Sequence, residues 1–309
     1  MTTPNGIIAP SRFTHFAAVD WSGAAGERHR GIAVAICNIG DAAPMLVRPG
    51  HRWSRAEVLD WLVRDTPDDT LIGFDLGISL PFADAGAFFP GWANTPPDAR
   101  RLWALVEAIC ADEAHLGVGS FVDHPELSRH FRRHGGREGD LFRLCADGGN
   151  GLPATGGRGR FRVTEHAQAR AGAAPTSNFN LIGAAQVGKG SLSGMRLLHR
   201  LPRDIPVWPI DPLPASGRVV VEIYTTIAAL AAGRRAGASK IRDGAGLDAA
   251  LAAIHSRPAG LNGPIPDHAA DALLTAAWLR GAAQRADLWA PKGMTPQIAR
   301  TEGWTFGVG

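Results

Sequence analysis

Four acidic residues stand inside otherwise apolar segments: Asp20 in AAVDWSG, Asp75 in IGFDLG, Glu222 in VVVEIY and Asp271 in DHAADALLTA. An unpaired buried carboxylate costs several kcal/mol, so each must either meet a cation of the protein or be kept for chemistry. Carboxylates drawn together from distant parts of a chain make an oxygen-only site that suits a hard cation such as Mg²⁺ or Mn²⁺. Two such ions about 4 Å apart can activate a water and stabilise the leaving oxygen of a phosphodiester. Metal-dependent hydrolysis of phosphodiesters is therefore the expectation, with Asp20, Asp75, Glu222 and Asp271 as candidate metal ligands. The same physics leaves a competing reading for Asp75 and Glu222, which could instead be salt-bridged to arginines elsewhere in the chain.

The last of these segments, PIPDHAADALLTAAWLRGAA over residues 264–283, has apolar residues at Ala270, Leu273, Leu274, Ala277 and Trp278. That is the spacing of a helix with one face turned to a core. Asp267, Asp271, Leu274 and Trp278 form a row on the edge of that face. Asp267 follows Pro266 and reads as the N-cap, accepting backbone N–H bonds. Asp271 lies one turn further in, where no cap is needed, and His268 stands beside it as a candidate ligand or proton-transfer group.

A second group of candidates concerns the phosphate. In GAAQVGKGSLSG (183–194), Gly183, Gly188 and Lys189 follow the spacing of a phosphate-binding loop, but Gly190 stands where Ser or Thr is needed, with Ser191 one place late. A nucleotide-binding loop is not expected; a Gly-rich helix start with Lys189 and Ser191 holding a substrate anion is. The arginines between 129 and 170, among them Arg132, Arg133, Arg158, Arg160 and Arg162 with Phe131 and Phe161 interleaved, could follow a nucleic-acid backbone or could be a solvated surface.

These residues need elements to position them. Residues 14–21, 30–40 and 43–50 read as three strands with short links, 54–65 as a helix with Ser54 as N-cap, and 70–81 as a strand buried on both faces, giving the order β-β-β-α-β. From about 82 to 216 the chain is rich in Gly, Pro, Arg and His, with one strong helical pattern at 96–114, and reads as an insertion with little core of its own. The core pattern returns at 217–230, a strand running into a helix, then helices at 246–256 and 264–283. The expectation is a single domain, with a core at about 14–81 and 217–283.

The whole chain sets bounds consistent with this. Its 309 residues, 45% hydrophobic, can bury a sizeable core. No apolar run is long enough for a membrane helix, and the start MTTPNGIIAPSRF lacks the features of a secretory signal, so a cytoplasmic protein without a membrane partner is expected. Cys37, Cys110 and Cys145, odd in number and widely spaced, speak against a disulfide framework or a thiolate zinc site. The net charge of +3 is modest, but many cations fall between residues 124 and 200, a local feature suited to an anionic partner.

The order β-β-β-α-β, an insertion, then strand and helix, with Asp20 on the first strand and Asp271 in the last helix, resembles the ribonuclease H-like fold. HAADALLTA (268–276) resembles the final helix of RuvC-type Holliday-junction resolvases, in which an acidic residue or histidine and an aspartate three residues on bind catalytic metal; His268 and Asp271 match that pair. More closely, AAVDWSG, IGFDLGISLP, HPELS, GAAQVGKGSLSGM, VVVEIY and DHAADAL together resemble family 429 of the domains of unknown function, described as predicted ribonuclease H-like nucleases. The resemblance spans about residues 15–280. It implies a nuclease-like, Mg²⁺- or Mn²⁺-dependent hydrolase acting on nucleic acid or another phosphate-bearing substrate. Resolvases of the RuvC type carry Glu on the fourth strand, where this chain has Asp75, and Glu222 has no simple counterpart there, so the third carboxylate is open between the two. Two other functions are compatible with the same elements: a non-catalytic module that binds nucleic acid or anions through the basic insertion, and a nucleotide-dependent phosphotransferase on the same fold.

Overall fold

The computed structural model describes residues 12–183, 187–235 and 237–309. A mixed six-stranded sheet lies at the centre, in the order β3-β2-β1-β4-β6-β5. Strand β1 (His15–Asp20) pairs antiparallel with β2 (Ala33–Asn38), which pairs antiparallel with the short β3 (Met45–Leu46). On its other side β1 runs parallel to β4 (Thr70–Asp75), β4 to β6 (Val219–Glu222), and β6 to the two-residue edge strand β5 (Val207–Trp208).

The expected β-β-β-α-β order is present, with strands shorter than the patterns suggest and helical backbone running from Arg55 to Asp65, its last five residues π-helical. β3 is confined to two residues by its surroundings: Pro44 and Pro49 have no N–H to give to a ladder, and Arg48 turns into the left-handed region (φ 55°). β4 stops at Asp75 rather than running to residue 81, because the chain bends at once, Leu76 N–H donating back to Phe74 C=O (2.9 Å). Between them, helix α1 (Arg55–Asp60) starts at Ser54 with a reciprocal cap: the Ser54 hydroxyl accepts from Glu57 N–H, and the Glu57 carboxylate accepts from Ser54 N–H.

One face of the sheet is covered by α8 (Asp267–Ala282), which packs across β1 and β2, with α6 (Thr225–Ala231) and α7 (Gly244–Ala253) against it. Leu273 and Leu279 of α8 are fully buried there among Phe16, Ala18, Val219 and Val221, each worth roughly 1.5–3 kcal/mol by transfer from water. The other face is covered by the segment 82–216. It contains α2 (Ala99–Ile109), α3 (Gly119–Val122), α4 (Val163–Arg170) and α5 (Val187–Arg200) joined by long irregular stretches. Contrary to the expectation of little core, it buries Phe88, Phe89, Trp103, Phe121, Phe131 and Phe179 in one cluster with Val19, Ile72 and Phe74 of the sheet. Its Gly and Pro content disguised Phe88, Phe89, Phe131 and Phe179, which project from irregular backbone and have no period to read, whereas Trp103 lies in α2 and Phe121 in α3.

Candidate functional site

The register of the sheet explains which carboxylates meet. Asp20 and Asp75 are direct partners across the parallel pair β1–β4, at the carboxyl ends of both strands. Side chains at paired positions share a face, and alternate residues share it too. Phe16 and Ala18 of β1 and Leu71 of β4 lie under α8, so Asp20 and Asp75 emerge on that same side. Glu222 of β6 is paired with Phe74, not Asp75, and therefore belongs to the opposite face together with Val19 and Phe74. One residue of register decides that the third carboxylate comes from the helix and not from β6.

Asp271 supplies it. On α8, Ala270, Leu273, Leu274 and Ala277 are buried, which leaves Asp271 at the edge of the packed face, above the ends of β1 and β4. Asp20, Asp75 and Asp271 line one open cavity of about 670 Å³, together with Lys240, Asp267 and His268. The 82–216 segment contributes further lining, including Gln168, Thr176 and Asn178 and, at the start of α5, Val187, Gly190 and Ser191.

The carboxylates are crowded and poorly compensated. Burial, then the charges of Asp75 and Asp271, push Asp20 well above the usual carboxylate range. Among the described residues no group donates a hydrogen bond to its side chain. Asp75 is pushed up to about 7 by burial and by Asp271, against the opposing pull of the Thr225 hydroxyl, which donates to it at 3.2 Å, and of Lys240. Asp271 is ion-paired and hydrogen-bonded to the Lys240 ammonium. Burial works against the charge on Lys240, yet the bond to Asp271 and the fields of Asp20 and Asp75 hold its pKa above the ordinary lysine range. His268 is lowered, chiefly by burial, with Asp267 and Asp271 pulling the other way.

Among the described residues no three His, Cys, Asp or Glu side chains are drawn tightly enough to hold a metal ion as they stand. The chemistry of the donor set nevertheless fits a hard divalent cation: three carboxylates, no thiolate, no arginine neutralising them, and a lysine ammonium standing where a cation is needed.

Several expected site residues are employed elsewhere. Glu222, 2% exposed, lines the floor of the cavity, but both its oxygens are taken: the Arg162 guanidinium grips them in a fork at 2.7 and 2.6 Å, Ile78 N–H donates at 2.8 Å, and the Thr305 hydroxyl donates as well. It is a structural anchor and not a free ligand, which is the salt-bridge alternative weighed from the sequence. Arg160 is fully buried, donating two hydrogen bonds to the Asp84 carboxylate and others to the carbonyls of Phe88 and Ala87, so it cannot contact a substrate. Arg158 is exposed but donates to Thr155 C=O and lies over Phe161, outside the cavity lining. Arg132 and Arg133 pair with Glu138 and Asp123, and Phe131 and Phe161 are buried, so the interleaved stretch is no continuous basic track.

The Gly183 loop runs partly outside the described residues, at 184–186. Lys189 falls in the first turn of α5 and does not line the cavity, whereas Ser191 does; its hydroxyl accepts from Gly77 N–H (3.1 Å) and donates to Asn178 Oδ1 (3.2 Å), fixing a wall and not an anion. Asp267 does not cap α8: Pro266 holds that position, and Asp267, half-exposed, lies 3.8 Å from His268 Nδ1.

Two contributors escaped the sequence reading, Thr225 and Lys240. Lys240 did leave a trace: of 32 basic residues only three are lysines, Lys189, Lys240 and Lys292, in a chain that otherwise uses arginine. No protein family, curated protein or solved structure matches the chain.

Proposed function

We propose that the protein is a divalent-metal-dependent hydrolase of phosphodiester bonds, built on a ribonuclease H-like core and acting on nucleic acid. The observation that carries this reading is the juxtaposition of Asp20 and Asp75 at adjacent strand ends with Asp271 facing them from α8, at an open cavity and without an arginine to neutralise them. The element order supports the fold half of the reading, since β1-β2-β3-α1-β4 followed by the insertion, β6 and α8 is the order on which the resemblance rests. Asp20 and Asp75 would hold Mg²⁺ or Mn²⁺ from the sheet and Asp271 from the helix. Such an ion supplies Lewis-acid polarisation of a phosphoryl group and charge neutralisation at the leaving oxygen. His268, with its lowered pKa, is neutral at pH 7 and is placed on the cavity wall to take a proton from water. The pairing of the insertion's arginines with internal carboxylates counts against the purely basic binding module.

Purified protein with labelled DNA and RNA, in EDTA and with Mg²⁺ or Mn²⁺, tests this directly when Asp271→Asn is run beside it. Cleavage should require the ion and vanish in the variant. The melting temperature in EDTA should be unchanged or slightly raised, because Lys240 is left in solvent and repulsion with Asp20 and Asp75 is relieved. The rise in melting temperature on adding Mn²⁺ should be lost with the activity. A large loss of stability in EDTA, about 3 to 5 kcal/mol, would make Asp271 structural and overturn the assignment.

A further inference from the structure

Lys240 lies in the loop between α6 and α7, and its ammonium occupies one side of the carboxylate cluster. It is paired to Asp271, with Asp20 and Asp75 near enough to feel its field. We propose that this ammonium takes the place of a second cation, so that the site accepts a single divalent ion per chain. The inference rests on the metal-dependent reading given above and specifies its stoichiometry.

Ligand supply is the first argument. Two divalent ions held about 4 Å apart need a bridging carboxylate and several further oxygens on each ion. The cavity has three carboxylates at its centre, one of which already has an oxygen on Lys240. The next acid outward, Asp267, is half-exposed at the rim beside His268. The next inward, Glu222, has both oxygens bound by Arg162, and Glu165 shares that same guanidinium. While Lys240 holds an oxygen of Asp271, no unengaged set remains for a second ion; removing the ammonium frees Asp271 to bridge two.

Charge is the second. Asp20, Asp75 and Asp271 with Lys240 carry a formal charge of −2, which one divalent ion cancels; a second would leave an excess of two positive charges in a partly buried place. What lies beyond Lys240 sharpens the point. A smaller cavity of about 80 Å³ adjoins the first and shares Thr225, Thr226, Lys240 and Asp271 with it. Its other walls carry Arg234, Arg235 and Leu274, and among the described residues Asp271 is its sole acid. Lys240 thus stands on the boundary between an acidic and a basic compartment. A cation displaced toward its side would meet guanidinium groups, while a phosphate lying across the boundary would meet an ion on one side and these cations on the other.

Mn²⁺ titration of the full chain, followed by electron paramagnetic resonance of the free ion and by calorimetry, reads the stoichiometry directly. Wild type should bind one equivalent, Lys240→Met two, and Lys240→Arg one, since the arginine restores the charge. Lys240 is exposed, so neither substitution threatens the fold. Two equivalents in wild type, or one in Lys240→Met, would overturn the role of Lys240 while leaving the metal-dependent reading intact. No binding to any of the three would overturn that reading itself, and this inference with it.

Discussion

At the scale of single residues, the energetic cost of a buried carboxylate identifies candidates but not their use. Asp20, Asp75, Asp271 and Glu222 all stand out in the sequence for the same reason, and one of the four turns out to be an anchor. Nothing in VVVEIY distinguishes Glu222 from Asp75 in IGFDLG, because the difference is the partner residue across the sheet, Phe74 for one and Asp20 for the other. Lys240 was hidden for a related reason: it reaches the cluster from an irregular loop that has no period to read. The raised pKa of Asp75 gives a test at this scale. Its folded value of about 7 exceeds the ordinary 3.8, so in EDTA it contributes stability that is complete below pH 3.8 and is lost as pH rises to about 7. Buried His29 and His130, both held near 4, have the opposite slope between about pH 4 and 6.5, and the wild-type curve alone would mix the two. The difference between Asp75→Asn and wild type removes the histidine contribution and leaves that of the carboxylate cluster, Asp75 together with the part of the Asp20 shift that its charge causes: thermal melts in EDTA should show the variant gaining on wild type from pH 4.5 to about 7. A constant difference across that range would mean that Asp75 is ionised throughout.

Among the elements, the strongly periodic ones were legible and the irregular ones were not. The α8 face, the β1 and β4 strands and the Ser54 cap follow from apolar spacing and cap chemistry, which are local. The ends of β3 and β4 depend on prolines and on a bend stabilised by a single backbone hydrogen bond, so their patterns overstate their length. The floor under the site joins four elements through charge: β6 by Glu222, the start of α4 by Arg162 and Glu165, the bend after β4 by Ile78 N–H, and the segment at Thr305. Replacing Glu222 with Gln leaves Arg162 with less charge to meet and weakens the fork, so urea unfolding should show a loss of about 3 to 5 kcal/mol. That loss should be the same in EDTA and in Mn²⁺, which sets this residue apart from Asp271. A loss confined to Mn²⁺ would return Glu222 to the list of ligands.

For the molecule as a whole, the segment read from the sequence as an insertion within a single domain shares its core with the sheet that it interrupts. The return of core-type patterns at residue 217 is real, since β6 joins the sheet beside β4. The segment 82–216 is nevertheless the cover of one of the two sheet faces, with Phe88, Phe89, Phe121 and Phe179 in the same cluster as Val19, Ile72 and Phe74. Excising 82–216 and joining its ends with a short linker should therefore give a chain with no cooperative thermal transition and strong binding of a hydrophobic dye. A cooperative melt would show that the remaining sheet can stand on one covered face. Among the described residues no helix is long and apolar enough to cross a membrane.

The scarcity of lysine gives the carboxylate cluster a built-in reporter. Reductive methylation with carbon-13 formaldehyde marks lysine amines without removing their charge. Only three side chains would carry the label, and Lys240 alone among them lies against an acidic cavity, where its methyl resonance would register the field around it. A chain so rich in arginine keeps the labelled amines few, and the resonance belonging to the site is the one that Lys240→Arg removes.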